Sequence, residues 1–226
     1  DLSGDWAFAL DADKTGIEQG IFRSLPTDTI TLPGTTSIAK KGTPSDKKEI
    51  GFLTDPYLFE GYAWYAKEIT LDKDSKNKNI YLHLERTRLT RVWVNDVEVG
   101  CRDSLTTPHH YDLTPYIKYG QENVIAVRID NDWNYKERAT GTKYQWSNKN
   151  FNANYGGIPK NVWLHVTDRL YQTLPLYSNL KTTGVYIYAE DIRVKSRKAI
   201  IHAESEIRNK YNRDKHVSYQ VELIDR

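Results

Sequence analysis

"TRVWVNDVEVG", Thr90–Gly100, carries the clearest fold signal in the chain. Two alternating runs flank Asn95-Asp96, and both of these residues tolerate the positive φ angles of a tight turn. The stretch reads as a β-hairpin. The segments around it carry the same period of two. In "NIYLHLE", Ile80, Leu82 and Leu84 share one face. In "GYAWYAKEITL", Ala63, Tyr65, Lys67 and Ile69 alternate with Trp64, Ala66, Glu68 and Thr70. "NVIAVRIDN" is β-branched and ends at Asp130-Asn131, and "HHYDLTPYI" reads as a short strand and turn. "WAFAL" and "DTITL" supply strands near the start, the second ended by Pro33-Gly34. Residues 35–56, rich in Gly, Pro, Lys and Ser, read as a long surface excursion. In "VWLHV", Val162, Leu164 and Val166 face one way, Trp163 and His165 the other. Helical periodicity is hard to find, and the expected class is all-β.

Composition bounds the function. The 226 residues include 32 basic and 30 acidic side chains, interspersed, for a net charge of +2. A nucleic-acid footprint would need clustered basic charge, so no nucleic-acid partner is expected. Arg86, Arg88 and Arg91 read as one solvated strand face. The single cysteine, Cys101, forms no internal disulfide. No apolar run is long enough to span a membrane. The sequence begins with Asp1 rather than Met, so the absence of a leader says nothing against secretion.

Residues 132–157 run without a clear period and are dense in amides and aromatics. A loop this long inside a compact β domain usually means function or disorder, and its aromatic content argues against disorder. Amides can hydrogen-bond sugar hydroxyls, and aromatic faces can stack on sugar rings. The same Asn and Gly residues also make plain turns. Trp133 and Trp146 are the platform candidates, whereas Trp64, Trp93 and Trp163 lie in strands and read as core or interdomain packing. His109 and His110 are adjacent in a strand and point to opposite faces, so they cannot easily share a metal. Asp130-Asn131-Asp132 and Asp11-Ala12-Asp13 offer oxygen ligands without the spacing of a calcium loop. No metal site and no cofactor is read from the sequence. Beyond Thr167 come a connection and three further strand-like runs, the last with Val217, Tyr219, Val221 and Leu223 on one face. They look like the opening of a second sandwich that would need about seven strands, which makes the chain read as a piece of a longer protein.

The ordered set "GYAWYAKEITL", "YLHLERTRLTRVWVNDVEVG", "SLTTPHHYDLTPYIKYGQENVIAVRIDN" and "YGGIPKNVWLHV" resembles the amino-terminal part of glycoside hydrolase family 2, the family of β-galactosidase, β-glucuronidase and β-mannosidase. Asp96 stands where that family's hairpin usually has Gly, and Lys160 where its closing motif usually has Arg. The resemblance implies a galactose-binding-domain-like jelly-roll β-sandwich over residues 1–170. A linker and the first strands of an immunoglobulin-like sandwich would follow over 171–226. It also implies that catalysis belongs to two glutamates on a separate barrel. The chain has no Asn-Glu pair, so no catalytic residue is assigned here. The implied partners are a carbohydrate substrate, through the whole enzyme, and the enzyme's own downstream barrel. Unpaired tail strands offer an edge through which copies could pair. By the same resemblance Asn131, Asp132 and the segment 145–154 fall where the family lends residues to the sugar pocket. The candidate substrate-binding residues are therefore Asn131, Asp132, Trp133, Trp146, Asn150, Asn152 and Asn154. A stand-alone carbohydrate-binding module and a purely structural spacer are the alternatives. A periplasmic or secreted setting is expected over a cytoplasmic one.

Overall fold

The computed structural model describes residues 1–46, 55–104, 107–132, 156–174 and 180–224. The strands are β1 (Gly4–Asp11), β2 (Asp28–Leu32), β3 (Gly34–Thr35), β4 (Thr43–Pro44), β5 (Tyr57–Leu58) and β6 (Tyr62–Thr70). Then come β7 (Asn79–Leu84), β8 (Thr90–Val94), β9 (Val97–Arg102), β10 (His109–Asp112) and β11 (Glu122–Asp130). The last six are β12 (Gly157–Ile158), β13 (Trp163–Thr167), β14 (Leu170–Gln172), β15 (Val185–Arg193), β16 (Lys198–Ser205) and β17 (Ile207–Asn209).

Two antiparallel sheets form a β-sandwich. One has six strands in the order β2-β1-β6-β11-β8-β9, the other three in the order β10-β7-β13. The inward residues of both meet in one core. Trp6, Phe8, Tyr65, Val92, Ile125, Val127 and Ile129 come from the large sheet, and Ile80, Leu82, Leu84 and Tyr111 from the small one. Period-two alternation sends these side chains to one face, so the strand pattern and the core are one fact. The middle of the large sheet is also covered outside. Trp64, Trp93 and Ala126 pack with Phe22 from the short turn at Ile21–Arg23, and Trp93 stacks on Phe22 with centroids 5.4 Å apart. Burial on both faces explains why β11 reads as a nearly unbroken apolar run.

The β8–β9 hairpin turns at Asn95 (φ 48°) and Asp96 (φ 73°), as its sequence predicts. Elsewhere the structure corrects the sequence reading. Thr36, Ser37 and Asp55 of the supposed surface excursion are buried. β3 pairs with β12, and Thr36 N donates to Gly156 O at 3.1 Å, which draws the segment against the sandwich. Arg88 is buried rather than solvated, while Arg86 is exposed and Arg91 makes a two-point ion pair with Glu98. Trp163 is 39% exposed, on the outer face of the small sheet, so of the two readings, core or interdomain packing, the core one does not hold for it. Residues 217–223 form no strand, and Val217, Tyr219, Val221 and Leu223 are all exposed. Their alternation meets no partner strand, and alternation without pairing does not hold an extended segment. Among the described residues, β15 and β16 pair only with each other, and β14 only with β17.

Candidate functional site

The exit of β11 is the place the sequence singles out. Asn131 and Asp132 are both buried there, beside buried Asp130. Asn131 N donates to Gly61 O at 2.8 Å, and its Nδ2 donates to Phe59 O at 2.6 Å. The amide therefore pins the chain that leads into β6. Gly156 lies against the same side chain: a Cβ there would sit 2.6 Å from Asn131 Oδ1, so only glycine fits this approach. The chain thus leaves the described structure after Asp132 and re-enters it at Gly156, beside its own point of departure.

Asp132 N donates to Asp130 Oδ1 at 3.0 Å, and the Asp132 carboxylate accepts a hydrogen bond from Lys14 Nζ. That bond raises the Lys14 pKa, against the opposing effect of burial. Arg88 Nη1 donates to Asp132 O at 3.3 Å. Asp11 organises the same rim. Its carboxylate accepts from Thr15 N at 2.9 Å, Gly16 N at 2.9 Å and Trp64 Nε1 at 3.0 Å. Its oxygens are spent on folding the 12–16 loop and on Trp64, which leaves little of the oxygen-ligand capacity that Asp11-Ala12-Asp13 offers in sequence. Arg128 lies over the Tyr62 ring at 3.9 Å, and burial lowers its pKa. Two of the candidate substrate ligands, Asn131 and Asp132, are thus brought together, but facing inward on partners from the chain. Trp133, Trp146, Asn150, Asn152 and Asn154 lie outside the described residues.

A second constellation was not read from the sequence. The outer face of the small sheet carries His83 of β7, His110 of β10 and His165 of β13. The register sets His110 directly opposite His83, and His165 opposite Tyr81, one row along. His83 Nδ1 and His110 Nε2 are 2.7 Å apart, a hydrogen-bond distance, and one nitrogen from each of the three rings falls within 4.8 Å of the others. His110 is buried, and His83 and His165 are half-buried. Burial favours the neutral rings: it is the leading cause that lowers the pKa values of His83 and His165 and holds His110 down to about 3. His109 points the other way, to Thr90 Oγ1 at 2.7 Å and Ser104 O at 2.7 Å, as strand geometry requires. The signal that could have found the cluster was the H-L-E, H-H-Y and L-H-V triplets, each with a histidine on the outward phase. Only the strand register shows that they meet.

Residues 1–168 match the family described as glycosyl hydrolases family 2, sugar binding domain. The chain belongs to glycoside hydrolase family 2. A β-glucuronidase of Formosa agariphila is 38% identical over 168 residues, which cover 74% of this chain and 17% of that protein. A β-galactosidase of Bacteroides ovatus is 28% identical over 172 residues, covering 74% of this chain and 18% of the relative. The chain thus spans less than a fifth of the length of these two relatives. Among solved structures, a β-glucuronidase from glycoside hydrolase family 2 superposes with a TM-score of 0.73 at 32% identity, covering 93% of this chain and 22% of the other. A Ruminococcus gnavus β-glucuronidase gives a TM-score of 0.63 at 20% identity, covering 93% of this chain and 33% of that one, and shares the fold. The family 2 motifs read from the sequence are β6, the β8–β9 hairpin, β10, β11 and the β12–β13 close. The fold assembles β6, β8, β9, β10, β11 and β13 into the two sheets of this sandwich, and β12 pairs with β3 beside them.

Proposed function

We propose that this chain is a non-catalytic, sugar-binding-type domain of a retaining glycoside hydrolase that removes terminal β-linked sugars. The observation that carries the reading is the family 2 sugar-binding match across residues 1–168. β-Glucuronides are the first substrates to try, because the Formosa agariphila relative and the solved structure at 32% identity are both named β-glucuronidases. Retaining hydrolysis needs two carboxyl groups about 5–5.5 Å apart, one a nucleophile and one an acid/base. At the β11 rim Asp11 holds backbone amides and an indole, and Asp132 holds Lys14. Carboxylates so engaged serve the fold, and the reacting pair is assigned to a barrel outside this chain. The amides and aromatics of segment 132–154 are the proposed contacts to a sugar there. A purely structural role is the competing reading, favoured at one position by the inward hydrogen bond of Asn131.

The test is a panel of chromogenic aryl β-glucuronides, β-galactosides and β-mannosides, given to the purified chain and to the enzyme that contains it. The chain alone should turn over none of them, and the enzyme should cleave at least one. Turnover by the chain that survives repurification, and disappears when one of its own Asp or Glu residues is replaced, would overturn the assignment. Asn152→Ala in the enzyme separates the two roles. A lost hydrogen bond to a sugar hydroxyl lowers kcat/KM by up to about tenfold, whereas a supporting loop leaves it unchanged.

A further inference from the structure

The three-histidine cluster on the outer face of the small sheet is unrelated to the β11 rim and calls for its own account. Packing alone would be served by apolar side chains. Here three strands each contribute an imidazole to one spot, with ring centroids 4.7 Å (His83–His110), 5.5 Å (His83–His165) and 6.5 Å (His110–His165) apart. Among the described residues the His165 ring makes no hydrogen bond, and it contacts the other two rings.

We propose that His83, His110 and His165 form a binding site for a divalent transition-metal cation of the zinc class. Three neutral imidazoles suit such a metal, whereas calcium and magnesium require oxygen ligands. Zinc–nitrogen bonds of about 2.0–2.1 Å in tetrahedral geometry put ligand atoms roughly 3.3 Å apart. The present spacings, from 2.7 Å for the closest pair to within 4.8 Å for the set, bracket that value. Small ring rotations bring the three nitrogens onto one ion, with the hydrogen bond between His83 and His110 exchanged for two metal bonds and the proton of the donor ring moved, by tautomer exchange, to that ring's other nitrogen. Burial already keeps the rings neutral, which is the form that binds. Glu85 Oε2 stands 3.9 Å from His83 Nε2. With Nδ1 on the metal, the opposite N–H faces this carboxylate, an arrangement that fixes the ring and strengthens the ligand. Because His83 and His165 are half-buried rather than sealed, the fourth position opens toward solvent. The ion would clamp β10, β7 and β13 together across their outer face.

Untagged chain, stripped with a chelator and dialysed, is titrated calorimetrically with zinc, with calcium as the comparison. One equivalent of zinc should bind and raise the melting temperature, calcium should do neither, and cobalt(II) should develop the visible absorption of a tetrahedral nitrogen site. His165→Ala and His83→Gln should each weaken zinc binding by more than about 100-fold, and Glu85→Gln by about tenfold. His202→Gln should change nothing, since that ring pairs with Glu190 on the β15–β16 hairpin. His110 is left untouched because it is buried, and circular dichroism of each variant confirms that it is folded. No zinc binding by the folded wild-type chain would overturn the proposal. So would zinc binding that persists undiminished in folded His165→Ala and His83→Gln.

Discussion

Asn123 is fully buried. Its Oδ1 accepts from Asn95 Nδ2 and from Lys118 N, each at 2.7 Å, and its Nδ2 donates to Lys118 O at 2.9 Å and Gln121 O at 3.0 Å. One amide ties the hairpin turn to the 118–121 bend. Asn123→Ala strands several of these groups out of water and should cost about 3 kcal/mol, read as a lower urea midpoint at unchanged slope. Asn131 is the parallel case. The sequence points to a sugar ligand, but its bond to Phe59 O gives a stability role. Asn131→Ala should cost about 1–3 kcal/mol. The near-isosteric Asn131→Asp should cost at least as much, because it sets an acceptor against that carbonyl. An unchanged melting temperature in both variants would return Asn131 to the substrate side. Asp55 behaves oppositely. Burial is the largest influence on its carboxyl and raises its pKa above 3.8, opposed by Ser37 and Arg88. A raised carboxyl pKa contributes stability below the unfolded value, and that contribution is lost as pH rises through the folded one. Asp55→Asn should therefore raise the melting temperature at pH 7, with the gain shrinking toward pH 4. A gain independent of pH would exclude this cause.

Whole strands are more legible than single side chains. β6, β7 and the β8–β9 hairpin can be read from alternation, because the period of two survives in the sequence, whereas β11, buried on both faces, is read from its β-branched run. The hairpin is legible at its turn because two adjacent residues must accept positive φ. Burial of Thr36 and Ser37 is not legible, since it depends on β3 meeting β12 from the far end of the domain. The same holds for the histidines, which come from three strands distant in sequence. At 217–223 a clean alternation gives no strand, because pairing is a property of two segments and only one is legible. Asp96 tests the turn itself. It holds φ at 73°, where the family's usual residue is Gly and where a Cβ is strained. Asp96→Gly should stabilise the chain by about 0.5–1 kcal/mol, the strain relief exceeding glycine's added unfolded-state entropy. A lower melting temperature would show that the Asp96 side chain contributes more to the turn than its strain costs.

Across the whole molecule, stability should be graded. The two sheets of the sandwich share a core in which Trp6, Tyr65, Leu82 and Val127 are sealed. Residues after Thr167 are held more sparsely. Tyr171 OH lies 3.1 Å from Tyr81 OH, and Lys210 Nζ donates to Tyr81 OH at 3.0 Å, so β14 and β17 dock on the outer face of the small sheet. Beyond that anchor β15 and β16 form a two-stranded ribbon with Ile187, Ile192, Val194, Ile200 and Ile201 exposed. An isolated ribbon of this kind is marginally stable in water, and exposed apolar side chains on both of its faces call for covering partners. The turn joining the two strands presents Arg193, Lys195, Arg197 and Lys198, all exposed. Among the described residues, trypsin should therefore cut first beyond residue 170, between residues 193 and 198 and at exposed Arg213, well before Lys67 of β6 or Arg128 of β11 becomes available. Native-state hydrogen exchange should run in the same order, with β15 and β16 amides exchanging through local opening and those of β6 and β11 only on global unfolding. In a longer protein where further strands complete a second sandwich on this ribbon, the 193–198 cuts should slow while those in the first sandwich stay unchanged. First cleavage within β6 or β11 would mean that the ribbon is not the weak point, and that a boundary near residue 170 does not separate two units of stability.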